Sequence, residues 1–193
     1  MRSHLFPRAG SADHSATPFF AVLGPHRSGT SCVAMVLHHL GVHMGNRLSG
    51  YEPTGGGEAI GLAQLCEEAM RFPATDPHWP DQLISHKLRS WILQWQAEAS
   101  RRCTVAGGKY PHLCRFANHL HEAIGDSLRI IAVDRDINAS IRSLKTRSHK
   151  HRGRWFAATD TDCERVQTSL IEHRDRFIEL HPNVPVFASI SWT

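Results

Sequence analysis

The chain has 193 residues, 41% of them hydrophobic, and a formal net charge of +4. That length suits one domain and is marginal for two, and the composition supports an ordinary hydrophobic core. The mild positive excess suits an anionic ligand but is too small to demand nucleic acid, and no apolar run is long enough to cross a bilayer.

Residues 1–18 contain Arg2 and Arg8 but no continuous apolar stretch, so they read as a flexible arm rather than a signal peptide. The expected domain is 19–193. It opens with Phe19-Phe20-Ala21-Val22-Leu23, a β-rich apolar run, followed by Gly24-Pro25-His26-Arg27-Ser28-Gly29-Thr30-Ser31. Val33, Val36, Leu37 and Leu40 then give helical spacing over 30–40. Strand, glycine loop and helix in this order form a cradle whose backbone N–H groups converge on one anion. Gly24 and Gly29 have the spacing of a Walker A loop, but Thr30 stands where that motif has its lysine. The cation is three residues earlier, at Arg27.

Residues 42–57 form a long glycine-rich loop, and such loops in compact domains are functional or disordered. A helix is predicted over 58–70, with a turn-rich break at 72–80. Asp81 reads as the N-cap of a longer helix. Ile84, Leu88, Trp91, Trp95 and Ala99 form its stripe, read as core, with a ring platform for a substrate as the alternative. A short strand over 104–108 leads into Lys109-Tyr110-Pro111-His112 and a helix over 113–124. Residues 128–134 are the clearest strand, apolar enough to be buried on both faces. A crossover helix over 137–148, an exposed basic run over 145–154, a helix over 160–180 and a strand over 184–190 complete the pattern. Alternating strands and helices predict an α/β fold, a parallel sheet flanked by helices in three layers. The five cysteines are scattered, which suits buried free thiols in a reducing cytoplasm. The fifteen histidines show no metal-ligand spacing.

Pro25-His26-Arg27-Ser28-Gly29-Thr30-Ser31 resembles the 5′-phosphosulfate loop of the P-loop sulfotransferases, of the bacterial and carbohydrate type, which reads P-x-[KR]-[ST]-G-[ST]-[ST]. The resemblance implies 3′-phosphoadenosine 5′-phosphosulfate (PAPS) as donor and PAP as product. The acceptor would be a hydroxyl or amine on a small molecule, carbohydrate or lipid. It implies that Arg27, Ser28, Gly29, Thr30 and Ser31 hold the phosphosulfate. Arg135 follows a buried strand, where open α/β sheets bind ligands. With Ser143 eight residues on, it resembles the family's 3′-phosphate element, although Arg135-Asp136-Ile137 lacks the proline of R-x-P; Ser140 is a rival for Ser143. Lys109-Tyr110-Pro111-His112 is similar to the family's K-[DTY]-P-[RH] segment, which implies a second cation at the sulfuryl group. The other reading of Lys109 is a solvated turn lysine. Glu58 is the first candidate for general base, with Glu52 and His112 as rivals. The family continues beyond its last strand with a segment that covers the nucleotide, for which little sequence remains after 190.

Two other readings use the same residues. Asp134 ends a strand like Walker B, as in a magnesium–ATP kinase, although the Walker lysine is missing. A nucleotide-binding protein without catalysis is the third. The basic run reads either as a solvated face or as a clamp for an anionic acceptor or the cofactor.

Overall fold

The computed structural model describes residues 17–45, 56–70, 81–102, 104–150 and 160–192. The expected arm up to residue 16, the glycine-loop residues 46–55 with Glu52, the 72–80 break, Cys103 and the 151–154 end of the basic run lie outside them.

The fold is α/β, with a four-stranded, all-parallel sheet. In chain order the elements are β1 (Phe19–Leu23), α1 (Thr30–His39), α2 (Ile60–Met70), α3 (Asp81–Arg101), β2 (Ala106–Lys109), a 3-10 turn (Pro111–Phe116), α4 (Ala117–Ile124), a second 3-10 turn (Gly125–Ser127), β3 (Leu128–Arg135), α5 (Ile137–Lys150), α6 (Asp160–Leu180) and β4 (Val186–Trp192). The strand order is β2-β1-β3-β4. After β1 the chain therefore builds outward on one side through β2, then returns to β3 on the other. In open α/β sheets of this kind, ligands bind at the carboxyl ends of the strands where the direction reverses.

Alternation along the strands divides the interior. Phe19, Ala21, Leu23, Leu128, Ile130 and Ala132 face a large core shared with Leu62, Leu88, Ile92, Leu120, Leu170 and Phe177 of α2, α3, α4 and α6. Val22 and Val133 face the opposite side, where Val33 and Ala34 of α1 and Met44 cover them. Helices thus flank both faces of the sheet, in unequal layers.

Register sets where the chemistry falls. Val22 lies opposite Lys109 on one side, and Leu23 lies opposite Ala132 on the other. The loop after β1, the end of β2 and the end of β3 are therefore level with one another. Gly24 is required here by close approach, since a Cβ on it would sit 2.7 Å from the Val133 carbonyl oxygen.

Four expectations need correction. The helix predicted from 113 starts as the 3-10 turn, and only Ala117–Ile124 is α-helical. Pro111 fixes the entry of that turn and has no N–H to give a preceding carbonyl. The last strand runs two residues later than expected, because the Val184 N–H closes a turn onto the His181 carbonyl. The basic run is not simply exposed, because Lys145 and Arg147 are half-buried while Thr146 between them is exposed. Cys66, Cys114 and Cys163 are buried, but Cys32 on α1 is exposed. The stripe on α3 packs on the core, with Trp91 and Trp95 stacked at 4.6 Å between ring centroids.

Candidate functional site

The loop after β1 is held from inside and from both sides. The buried Ser28 hydroxyl donates to the Pro25 carbonyl at 2.8 Å, closing the turn on itself. Thr30 is also buried, with its methyl group against Gly24. Arg135, at the end of β3, donates from its guanidinium to the Arg27 carbonyl at 2.8 Å. Gln167 of α6 donates to the His26 carbonyl. These donors occupy carbonyl oxygens that would otherwise repel an anion at the loop. Gly29 precedes α1 and has no side chain with which to cap it. The positive end of the helix dipole therefore faces the loop without an internal partner from that residue.

Arg27 is the one non-glycine residue with positive φ among the described residues, at 63°. A left-handed conformation costs an L-residue on the order of 1–2 kcal/mol, and such strain collects at functional sites. The conformation presents the half-buried side chain to α5, where its Nε donates to Ser143 Oγ at 3.0 Å. Burial lowers the pKa of this guanidinium, and the charges of Arg147 and Arg135 lower it further. Both of these charges are positive.

Lys109 is 2% exposed, which excludes the solvated-lysine reading. Its ammonium donates to Ser31 Oγ at 3.0 Å and to the Gly56 carbonyl at 3.3 Å, and it forms an ion pair with Glu58. Burial lowers its pKa, the Glu58 carboxylate opposes that shift, and Arg147 and Arg27 reinforce it. Glu58, just ahead of α2, is therefore beside the loop and already engaged with a cation.

A third feature had no signal in the motif. The Nε2 atoms of His26 and His112 lie 3.2 Å apart, so one ring donates to the other. Burial holds His26 well below the usual histidine range, helped by His112, Lys109, Arg147 and Arg27. His112 is lowered to about 4, first by burial and then by Arg115. Both imidazoles are neutral at pH 7, which makes His112 a weak base.

The residues predicted from sequence thus fall into two groups. Arg27, Ser31, Glu58, Lys109, Arg135 and Ser143 meet at the loop. Ser28 and Thr30 turn inward and act on the loop itself. Ser140 is fully buried on α5, and its hydroxyl has no hydrogen-bond partner among the described residues, so Ser143 is the serine at the loop. Asp134 is bound by Arg174 at 2.7 Å, and Arg174 also donates to the Val133 carbonyl and to Asp175. Comparison with protein-family models and with curated proteins gives no match to this chain. No helix among the described residues is long and apolar enough to cross a membrane.

Proposed function

We propose that this chain is a sulfotransferase that uses PAPS as donor, on a P-loop-like domain. The observation that carries the reading is the meeting of Arg27, Lys109 and Arg135 around a glycine loop that has no lysine at the Walker position. Three protein cations at one loop suit a donor with a phosphosulfate at one end and a phosphate at the other. Arg forks onto phosphate, and Ser143 beside Arg27 adds a hydroxyl.

In the proposed reaction the S–O bond to the leaving phosphate breaks as a new bond forms from sulfur to the acceptor oxygen or nitrogen. Arg27 and Lys109 neutralise charge on the leaving oxygen and the transferring group, as preorganised donors do. The acceptor proton goes to a carboxylate, for which Glu58 is favoured by its place beside Lys109 and Ser31. An anion next to Lys109 competes with Glu58 for that ammonium and frees the carboxylate to act as base. The acceptor class stays as implied by the resemblance, a hydroxyl or amine compound. The kinase reading is disfavoured because the Walker lysine is missing and its magnesium ligand, Asp134, is engaged in an ion pair with Arg174.

Calorimetric titration with PAP and with adenosine 5′-monophosphate tests the reading. One bond to a charged group contributes roughly 1.5–3 kcal/mol, so PAP should bind at least about tenfold more tightly. Arg135→Ala should weaken both nucleotides, because the side chain also holds the loop, but PAP more. Equal affinity of the unmutated protein for the two nucleotides would sink the assignment, and tighter binding of magnesium-ATP would favour the kinase. Binding of PAP without sulfuryl transfer from PAPS would leave a nucleotide-binding protein.

A further inference from the structure

We propose that Arg147 of α5 is a ligand-contacting cation of this site, placed on the loop side of the helix one turn beyond Ser143. The inference deepens the sulfotransferase reading, and it needs only that the loop binds a phosphate-type anion.

Helix register gives the first support. Ser140, Ser143, Leu144 and Arg147 follow the spacing of one helical stripe. Ser140 and Leu144 are buried, whereas Asn138, Arg142 and Thr146 on the other side of α5 are exposed. Two contacts fix the stripe's direction: Ser143 accepts from Arg27 at 3.0 Å, and Leu144 packs with Cys163 of α6. Arg147 is half-buried on that stripe, one turn from the Ser143–Arg27 bond.

The electrostatics agree with that register. Arg147 acts on three residues from two other segments at once, namely His26, Arg27 and Lys109. Its effect on Arg27 exceeds that of Arg135, whose guanidinium is bonded to the Arg27 carbonyl. Its effect on Lys109 exceeds that of Arg27. The charge therefore acts on the space that Arg27 and Lys109 share, in keeping with the stripe's direction. In the proposed reaction that space receives the 5′-linked, transferring end of the donor rather than its 3′-phosphate. Several positive charges converging on one loop favour a polyanion there. Arg147 would then contribute to binding of any anion that occupies the loop, with or without a 3′-phosphate.

The test is titration of inorganic pyrophosphate and of PAP into the unmutated protein and three variants. Arg147→Ala should lose about tenfold in affinity for both probes, the worth of one charge-assisted contact. Arg147→Lys should recover most of the loss for pyrophosphate, since a point charge suffices there, and Arg142→Ala should match the unmutated protein. Carbon-bound proton resonances of His26 give a second readout, because removal of the Arg147 charge should move its titration to higher pH even without ligand. Affinities of Arg147→Ala within twofold of the unmutated protein for pyrophosphate would overturn the proposal, as would failure of pyrophosphate to bind at all. Pyrophosphate binding that depends on Arg147, combined with no preference for PAP over adenosine 5′-monophosphate, would uphold this inference while the sulfotransferase reading fails. If Arg147→Ala does not fold, the loss in Arg147→Gln decides in its place.

Discussion

Arg27 combines two properties that sequence alone reveals unequally. Its displaced position in the loop was legible as a cation without the Walker lysine, but its left-handed backbone was not, because arginine has no preference for that region. The same blindness applies to His26, which occupies a variable position of the motif and yet bonds His112 across the site. Lys109 was legible only through a resemblance, because local composition cannot tell a buried lysine from a turn lysine. Its burial follows from the parallel register with Val22, a long-range fact. The strain at Arg27 gives a prediction in which stability and function part. Arg27→Gly relieves the positive φ but enlarges the freedom of the unfolded chain by a similar amount. The net change in stability should stay within about 1 kcal/mol. In the proposed reaction, sulfuryl transfer should nevertheless fall by about a hundred- to a thousandfold, as expected on losing one preorganised donor. A variant that keeps full transfer would remove Arg27 from the chemistry, and one that unfolds would show that the Ser143 bond holds the loop together.

At the scale of elements, periodic apolar patterns carried most of the information. β1, β3, α3 and α6 announce themselves through runs or stripes, and their bounds lie within a residue or two of expectation. β2 is harder to read, since Ala106-Gly107-Gly108-Lys109 has low strand propensity. Its glycines are explained by layer packing instead: a Cβ on Gly108 would lie 2.9 Å from Leu62 Cδ2 and 3.1 Å from the Phe19 ring. Gly24 and Gly108 make a controlled comparison. At Gly108 the nearest atom is the end of a flexible leucine, which can move. At Gly24 the nearest atom is the Val133 carbonyl oxygen, at 2.7 Å, with Thr30 Cγ2 at 2.8 Å behind it. Backbone on the central strand pair cannot retreat without breaking the ladder. Gly24→Ala should therefore cost about 2–3 kcal/mol, near the upper end for overpacking, and Gly108→Ala less than about 1 kcal/mol. Urea midpoints at unchanged slope measure both. Equal costs would show that the β1–β3 junction is softer than its contacts indicate.

Over the whole molecule the net charge is a modest +4, yet the distribution matters more than the total. Positive groups gather where the strands end, around two imidazoles that are kept neutral by burial and by those same cations. This arrangement makes acid the weakness of the fold. His112 has its folded-state pKa lowered to about 4, whereas the unfolded chain carries an ordinary histidine near 6.5. Between these values the unfolded state binds more protons than the folded one, so stability rises with pH across the window. The contribution is complete above pH 6.5 and is lost as pH falls through about 4. A shift of that size corresponds to roughly 3 kcal/mol, at 1.36 kcal/mol per unit. His26 has its pKa moved in the same direction, so its protonation adds to the loss rather than offsetting it. Urea denaturation at half-unit steps from pH 7 to pH 4 should show a steady decline that begins near 6.5, before most carboxylates titrate. His112→Gln keeps a polar group in reach of His26 but cannot take up the proton, and it should flatten the upper part of that decline. Bound as proposed, PAP places negative charge beside the cations and favours protonated His26, so it should make the decline shallower without moving its onset near 6.5. Stability that stays level from pH 7 to pH 5 in the unmutated protein would mean that the imidazole pair is solvated, and that the loop end of the sheet is more open than its contacts indicate.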